Sequence, residues 1–151
     1  MSINIKSNEL KKYISRILDK EIEELNEEDL KEIRDIKLNH INFCGNETDC
    51  MIEDLSLLND LQECTLFKFN VTENDLKIFN SLSNLKYIHF DFCTFSLDNI
   101  TFDSQIKSIC FTMCNGLNLN QLKNNNLNYL KIICDRNTKV NLDITELNDL
   151  T

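Results

Sequence analysis

The chain has 151 residues, a formal net charge of −9 and an apolar content of 42%, as expected for one globular domain with a core of its own. Because phosphate groups repel a surface of this charge, binding to nucleic acid is disfavoured. The N-terminus has no apolar leader and no stretch reaches membrane-spanning length, so we expect a cytoplasmic protein without membrane contact.

Residue usage is unusual, with seven cysteines, no proline and only two glycines. An odd number of cysteines without a leader is typical of reduced thiols in a cytoplasmic protein. Asparagine tolerates positive φ better than most residues, so we expect asparagines to take turn positions that glycine usually fills.

Two short helices are predicted at the N-terminus. The first spans residues 8–19, with Ser7 or Asn8 as its N-cap. Its predicted apolar stripe consists of Leu10, Tyr13, Ile14, Ile17 and Leu18. Asn26 is expected to cap the second helix, because three acidic residues follow it and suit the positive end of a helix dipole.

From residue 33 onwards the chain repeats one pattern, with apolar residues at positions 1, 4, 6, 9 and 11 of each copy. The copies start at residues 33, 61, 85, 106 and 127, which are 28, 24, 21 and 21 residues apart. The clearest copies are Ile33, Ile36, Leu38, Ile41 and Phe43; Leu61, Cys64, Leu66, Phe69 and Val71; and Leu85, Ile88, Phe90, Cys93 and Phe95. The fourth and fifth copies are less regular towards their ends, and we interpret Leu147 and Leu150 as the start of an unfinished sixth.

Each copy predicts a short strand near positions 3–8, in which alternate side chains enter a core. In the first segments between copies, apolar residues are spaced as on one face of a helix. In the later segments their spacing is less regular. Two such segments are Ile52, Leu55 and Leu58, and Leu76, Phe79 and Leu82 within residues 73–83. No single copy buries its apolar side alone, so the copies are expected to stack.

These copies resemble the repeats of bacterial leucine-rich repeat proteins, and the segment from Leu10 to Leu38 resembles the helical cap of internalin-like proteins. The resemblance implies an α/β fold: a short solenoid of about five repeats with a parallel sheet on its concave face. It divides the single domain into a cap (1–32) and repeats (33–151). The asparagine usual at position 9 is replaced by Ile41, Phe69, Cys93, Cys114 and Asp135. Because we expect neither an export signal nor a wall anchor in this chain, we take from the resemblance only the binding scaffold and not the role of a surface adhesin.

Positions 3, 5, 7 and 8 of each copy are predicted to face solvent on the concave side. Several of them are aromatic or aliphatic, and contiguous exposed apolar surface usually marks an interaction site. The predicted partner-binding residues are Phe67, Tyr87, His89, Asp91, Phe92, Met113, Tyr129, Lys131 and Ile133. The alternative is that a terminal segment covers them, or that the strand register is shifted by one residue, which would bury them.

Metal binding and catalysis are disfavoured, and no cofactor is expected. The cysteine spacings, Cys44 with Cys50 and Cys110 with Cys114, are not those of a structural zinc site. The pattern places Cys114 in the core and Cys110 on the surface. His89 could neighbour Cys110, but no glycine-rich loop accompanies them.

The function expected from the sequence is non-enzymatic binding of another protein. The alternative is an immunity protein or inhibitor that neutralises a toxin or enzyme, which the small size and acidity would suit. The acidic run over residues 21–29 is either a solvated cap or a docking site for a basic partner. A homodimer through the C-terminal edge of the sheet is the other expected association.

Overall fold

The computed structural model describes residues 3–40, 51–97, 99–118, 122–123 and 126–134. The predictions for Ile41, Phe43, Cys44, Cys50, Asp135, Leu147 and Leu150 lie outside these residues. No helix in the described part of the chain is long and apolar enough to cross a membrane.

Helices and short strands alternate along the chain. The α-helices are α1 (Asn8–Leu18), α2 (Glu27–Leu30), α3 (Met51–Asp54) and α4 (Glu73–Ser81), with 3₁₀ turns at Ile22–Glu24 and Leu55–Leu57. The strands are β1 (Asp35–Asn39), β2 (Glu63–Phe67), β3 (Asn70–Val71), β4 (Tyr87–Asp91), β5 (Thr94–Phe95), β6 (Ile100–Thr101), β7 (Ser108–Thr112), β8 (Leu122–Lys123) and β9 (Tyr129–Ile133).

Side-chain caps fix where the helices begin. Ser7 Oγ accepts a hydrogen bond from the backbone N–H of Leu10 at 3.2 Å, so α1 starts where the sequence predicts. Asn26 and Asp29 form a reciprocal capping box on α2. On α1, Leu10 and Ile14 are buried, whereas Ile17 is 47% exposed; its place in the predicted apolar stripe was wrong.

The main sheet has five parallel strands in the order β1-β2-β4-β7-β9. The register aligns equivalent positions of successive copies: Asp35 pairs with Glu63, Glu63 with Tyr87, Tyr87 with Ser108, and Ser108 with Tyr129. The predicted α/β class and parallel sheet are therefore confirmed. Two further parallel pairs, β3 with β5 and β6 with β8, lie in the connecting segments.

One continuous core lies between the main sheet and the connecting segments. Each strand sends its second and fourth side chains inwards, and in β1, β2, β4 and β7 these are at most 1% exposed. Both apolar triplets of the first connecting segments are buried as well: Ile52, Leu55, Leu58, Leu76, Phe79 and Leu82. Leu130 and Ile132 of β9 are only half-buried and pack against the core from its end.

Helix α1 closes the first edge of the sheet. The Tyr13 hydroxyl accepts a hydrogen bond from the backbone N–H of Lys37 in β1 at 2.9 Å. An open edge strand offers unpaired backbone groups to other chains, and this contact occupies one of them. The N-terminal segment thus functions as a cap on β1.

Candidate functional site

The main sheet presents one side away from the core, here named the outer face. It consists of the first, third and fifth side chains of each strand: Asp35, Lys37, Asn39, Glu63, Thr65, Phe67, Tyr87, His89, Asp91, Ser108, Cys110, Thr112, Tyr129, Lys131 and Ile133. Because the strands are parallel and in register, these side chains form rows that run across the strands. Neighbouring residues within a row are about 4.8 Å apart.

The structure brings the predicted binding residues together on and beside this outer face. All of them belong to it except Phe92 and Met113, which follow β4 and β7 directly. Phe92 and Met113 both have a φ of 51°, and Lys68 after β2 has a φ of 62°. These three residues occupy equivalent places, since each follows the last residue of its strand. The backbone N–H of each donates to the next strand, for instance Phe92 to Thr112 O at 2.8 Å.

Apolar surface is exposed at both ends of the strands. Phe92, Tyr129 and Ile133 are 46%, 48% and 41% exposed, while Phe67 and Tyr87 are half-buried. The rings of Phe67 and Phe92 lie edge to face with their centroids 5.6 Å apart. Burial raises the pKa of the Tyr87 hydroxyl, so this group keeps its neutral, hydrogen-donating form to a higher pH than an ordinary tyrosine does.

The centre of the outer face is polar. His89 Nε2 and Thr112 Oγ1 are 2.9 Å apart, and Cys110 Sγ lies 3.7 Å from the same hydroxyl. Cys110 is only 4% exposed, so the prediction of a surface thiol was wrong. It faces outwards, but its in-register neighbours are the longer His89 and Lys131, and a short side chain between them lies below their level. Cys114, predicted in the core, is half-buried at the core's margin.

This polar cluster provides a hydroxyl and an imidazole, and the backbone N–H groups of Phe92 and Met113 beside it are already used. The N–H of Phe92 donates to Thr112 O, and the N–H of Met113 donates to Ile133 O at 2.7 Å. An oxyanion site requires free donors aimed at one point. The N–H groups of Phe92 and Met113 are therefore not available to an oxyanion in this structure.

The acidic run of the cap contains one buried carboxylate that stabilises the fold and several carboxylates that are exposed to solvent. Asp29 is buried, accepts the N–H of Asn26 at 2.8 Å and pairs with Lys20; the hydrogen bond from Lys20 lowers the pKa of Asp29. Exposed carboxylates in this run are Glu21, Glu23, Glu24, Glu27 and Glu28. They give the cap a negative surface that a basic partner would meet.

Two residues that matter to this site were predicted on the concave side but were not included among the partner-binding residues. Thr112 links His89 with Cys110, and Lys68 places its Nζ 5.4 Å from the centroid of the Phe67 ring. Both were passed over because they are polar, although Lys68 shares position 8 with Phe92, and Thr112 shares position 7 with Asp91.

Within the described ranges, no three histidine, cysteine or acidic side chains gather as a metal site would require. Comparison of the chain with protein-family models, with characterised proteins and with solved structures finds no match.

Proposed function

We propose that the protein is a non-enzymatic binding module: a short leucine-rich-repeat solenoid of a reducing, cytoplasmic environment that holds another protein on the outer face of its sheet. The proposed solenoid rests on the stepwise register, in which each strand pairs with the equivalent strand of the next copy. In this proposal, the outer face is the concave face of the solenoid.

The observation that carries the binding role is the apolar surface at Phe92, Tyr129 and Ile133, on a sheet whose other side holds the core. Aromatic side chains next to polar groups are typical anchors of protein interfaces, because they bury a large area at a small cost in side-chain entropy. His89, Lys131 and the neutral Tyr87 hydroxyl supply directional contacts among them.

A double variant, Tyr87→Ser with Phe92→Ser, tests this role. We expect it to lose the protein that the wild type captures from an extract of the native cell, because it removes two central aromatic anchors, Tyr87 on the outer face and Phe92 directly beside it. Ile17→Ser is the matched control, since Ile17 is 47% exposed but lies on α1. Mass spectrometry of the captured proteins is the measurement, with circular dichroism to verify folding. Equal capture by a folded double variant would contradict the role.

A narrower candidate is an immunity protein or inhibitor that neutralises a toxin or enzyme. The exposed glutamates of the cap and the net charge of −9 favour it, because they would accelerate association with a basic partner. Its association rate constant would then fall steeply as salt is added. Capture of a protein whose activity the chain does not inhibit would argue against this candidate.

A homodimer is proposed through the other edge of the sheet. β9 is the last strand and, among the described residues, pairs with β7 alone, with Tyr129 and Ile133 exposed on one side. We expect concentration-dependent dimerisation in sedimentation equilibrium that Tyr129→Lys weakens, because charges block edge pairing. Ile17→Ser should dimerise like the wild type. A wild type that stays monomeric at high concentration would exclude the dimer.

A further inference from the structure

We infer that Asp91 anchors a cationic side chain of the partner protein, an arginine guanidinium, at the aromatic pair formed by Phe67 and Phe92. The inference rests on the proposed function, because it names the chemistry with which a partner would engage the outer face. It makes Asp91 the specificity-determining residue of that face.

Among the described residues, one buried side-chain oxygen or nitrogen lacks a hydrogen-bond partner, and this atom is Oδ1 of Asp91. Asp91 ends β4, the middle strand of the sheet, and its lateral neighbours in the register are Phe67 and Thr112. The ion pairs among the described residues do not include Asp91. A buried carboxylate oxygen without a hydrogen-bond donor raises the free energy of the folded chain. A donor group of a partner that reached this oxygen would therefore be bound favourably.

The surroundings of Asp91 favour a cation over a neutral donor. Phe67 is the register neighbour of Asp91 on the adjacent strand and Phe92 is the next residue in the chain, and their ring centroids lie 5.6 Å apart. The ring of Phe67 already attracts one ammonium group, that of Lys68, at 5.4 Å from its centroid. Carboxylate and aromatic face together provide the two interactions that a cationic side chain gains on leaving water.

Arginine fits this site better than lysine does. Its planar guanidinium stacks on a ring and donates to a carboxylate at the same time, whereas an ammonium is more strongly hydrated. Because Oδ1 is screened from solvent, a side chain must rotate before the guanidinium reaches it. Phe92 is 46% exposed, so its ring has open space on one side, and rotations of this kind are common at interfaces.

The first test uses N-acetylarginine amide as the probe, titrated into the ¹⁵N-labelled full chain and followed by NMR. We expect saturable shifts at the amides of Phe67, Asp91 and Phe92. N-acetylcitrulline amide, which has nearly the same shape without the charge, should give none. Asp91→Asn should abolish the shifts, and the matched variant Asp35→Asn, which removes one charge from the same face, should retain them.

Equal shifts with the citrulline amide, or shifts that persist in Asp91→Asn, would overturn the inference. With the captured partner, Asp91→Asn should raise the Kd about tenfold or more, and Asp35→Asn less than about threefold.

Failure of the inference and failure of the proposed function give different results. If Tyr87→Ser with Phe92→Ser loses the partner while Asp91→Asn binds it as the wild type does, the face binds a protein by other means and the anchor is refuted. If N-acetylarginine amide binds at Asp91 but the face variants capture the same proteins, Asp91 is a cation site, and both the binding role of the face and the partner's arginine at Asp91 are refuted.

Discussion

Phe90→Ala is expected to lower the free energy of unfolding by about 3–5 kcal/mol, a large part of the roughly 5–15 kcal/mol of a typical domain. Phe90 is fully buried at the centre of the sheet. Its ring contacts four others with centroid distances of 5.1–6.1 Å, those of Phe79, Phe95, Phe102 and Phe111. These rings come from α4, β5, the segment after β6, and β7, so the cavity would loosen several copies at once.

Urea unfolding followed by circular dichroism measures this loss, and Phe92→Ala is its control. Phe92 lies two residues further on but points outwards, and its described ring partner is Phe67, so we expect it to cost less than about 1.5 kcal/mol. If Phe92→Ala were as costly as Phe90→Ala, the inner and outer faces would be reversed and the proposed binding surface would be part of the core.

The strands of the main sheet were predictable because each of them points alternate side chains towards the core. Each places its second and fourth side chains in one core, so the alternation appears in every copy, including β2, where the second side chain is the buried Cys64. The helix starts were also predictable, because Ser7 and Asn26 act on backbone groups within three residues of themselves.

Interactions between neighbouring copies could not be read from the sequence. Positive φ was expected of asparagine, yet the described residues with positive φ are Asp19, Lys68, Phe92, Met113 and Gly116. The conformation of Phe92 serves a hydrogen bond to Thr112 in the next strand, and a local pattern does not reveal this need. Asparagines instead tie neighbouring loops through their side chains: Asn80 donates to Thr101 O and accepts from the N–H of Asp103, both at 3.0 Å.

Position 9 illustrates the same limit. The repeat pattern counts the cysteines at this position as apolar core residues, but the thiols of Cys93 and Cys114 donate to Leu66 O and Phe90 O, each at 3.4 Å. These carbonyls belong to the preceding strand of the sheet. The cysteines therefore link successive copies, a role that depends on which strands are neighbours in space.

Asp54→Ala is expected to lower the free energy of unfolding by about 2–4 kcal/mol, although Asp54 resembles a solvated acid in the sequence. It is 4% exposed, and its Oδ2 accepts the backbone N–H groups of Lys6 at 2.9 Å and Ser7 at 2.7 Å. These bonds attach the N-terminal segment, whose Ile3 and Ile5 enter the core, to the end of α3.

Without the carboxylate, two N–H groups next to the cap of α1 would lose their acceptor, and the closure of β1 by Tyr13 would weaken with them. Asp54→Asn keeps an accepting oxygen and should lose about half as much stability. Urea unfolding gives both values, and amide exchange at Lys6 and Ser7 should accelerate far more in Asp54→Ala than exchange in β4 does. Equal losses from the two variants would mean that the charge of Asp54, and not its accepting oxygen, holds the cap on the sheet.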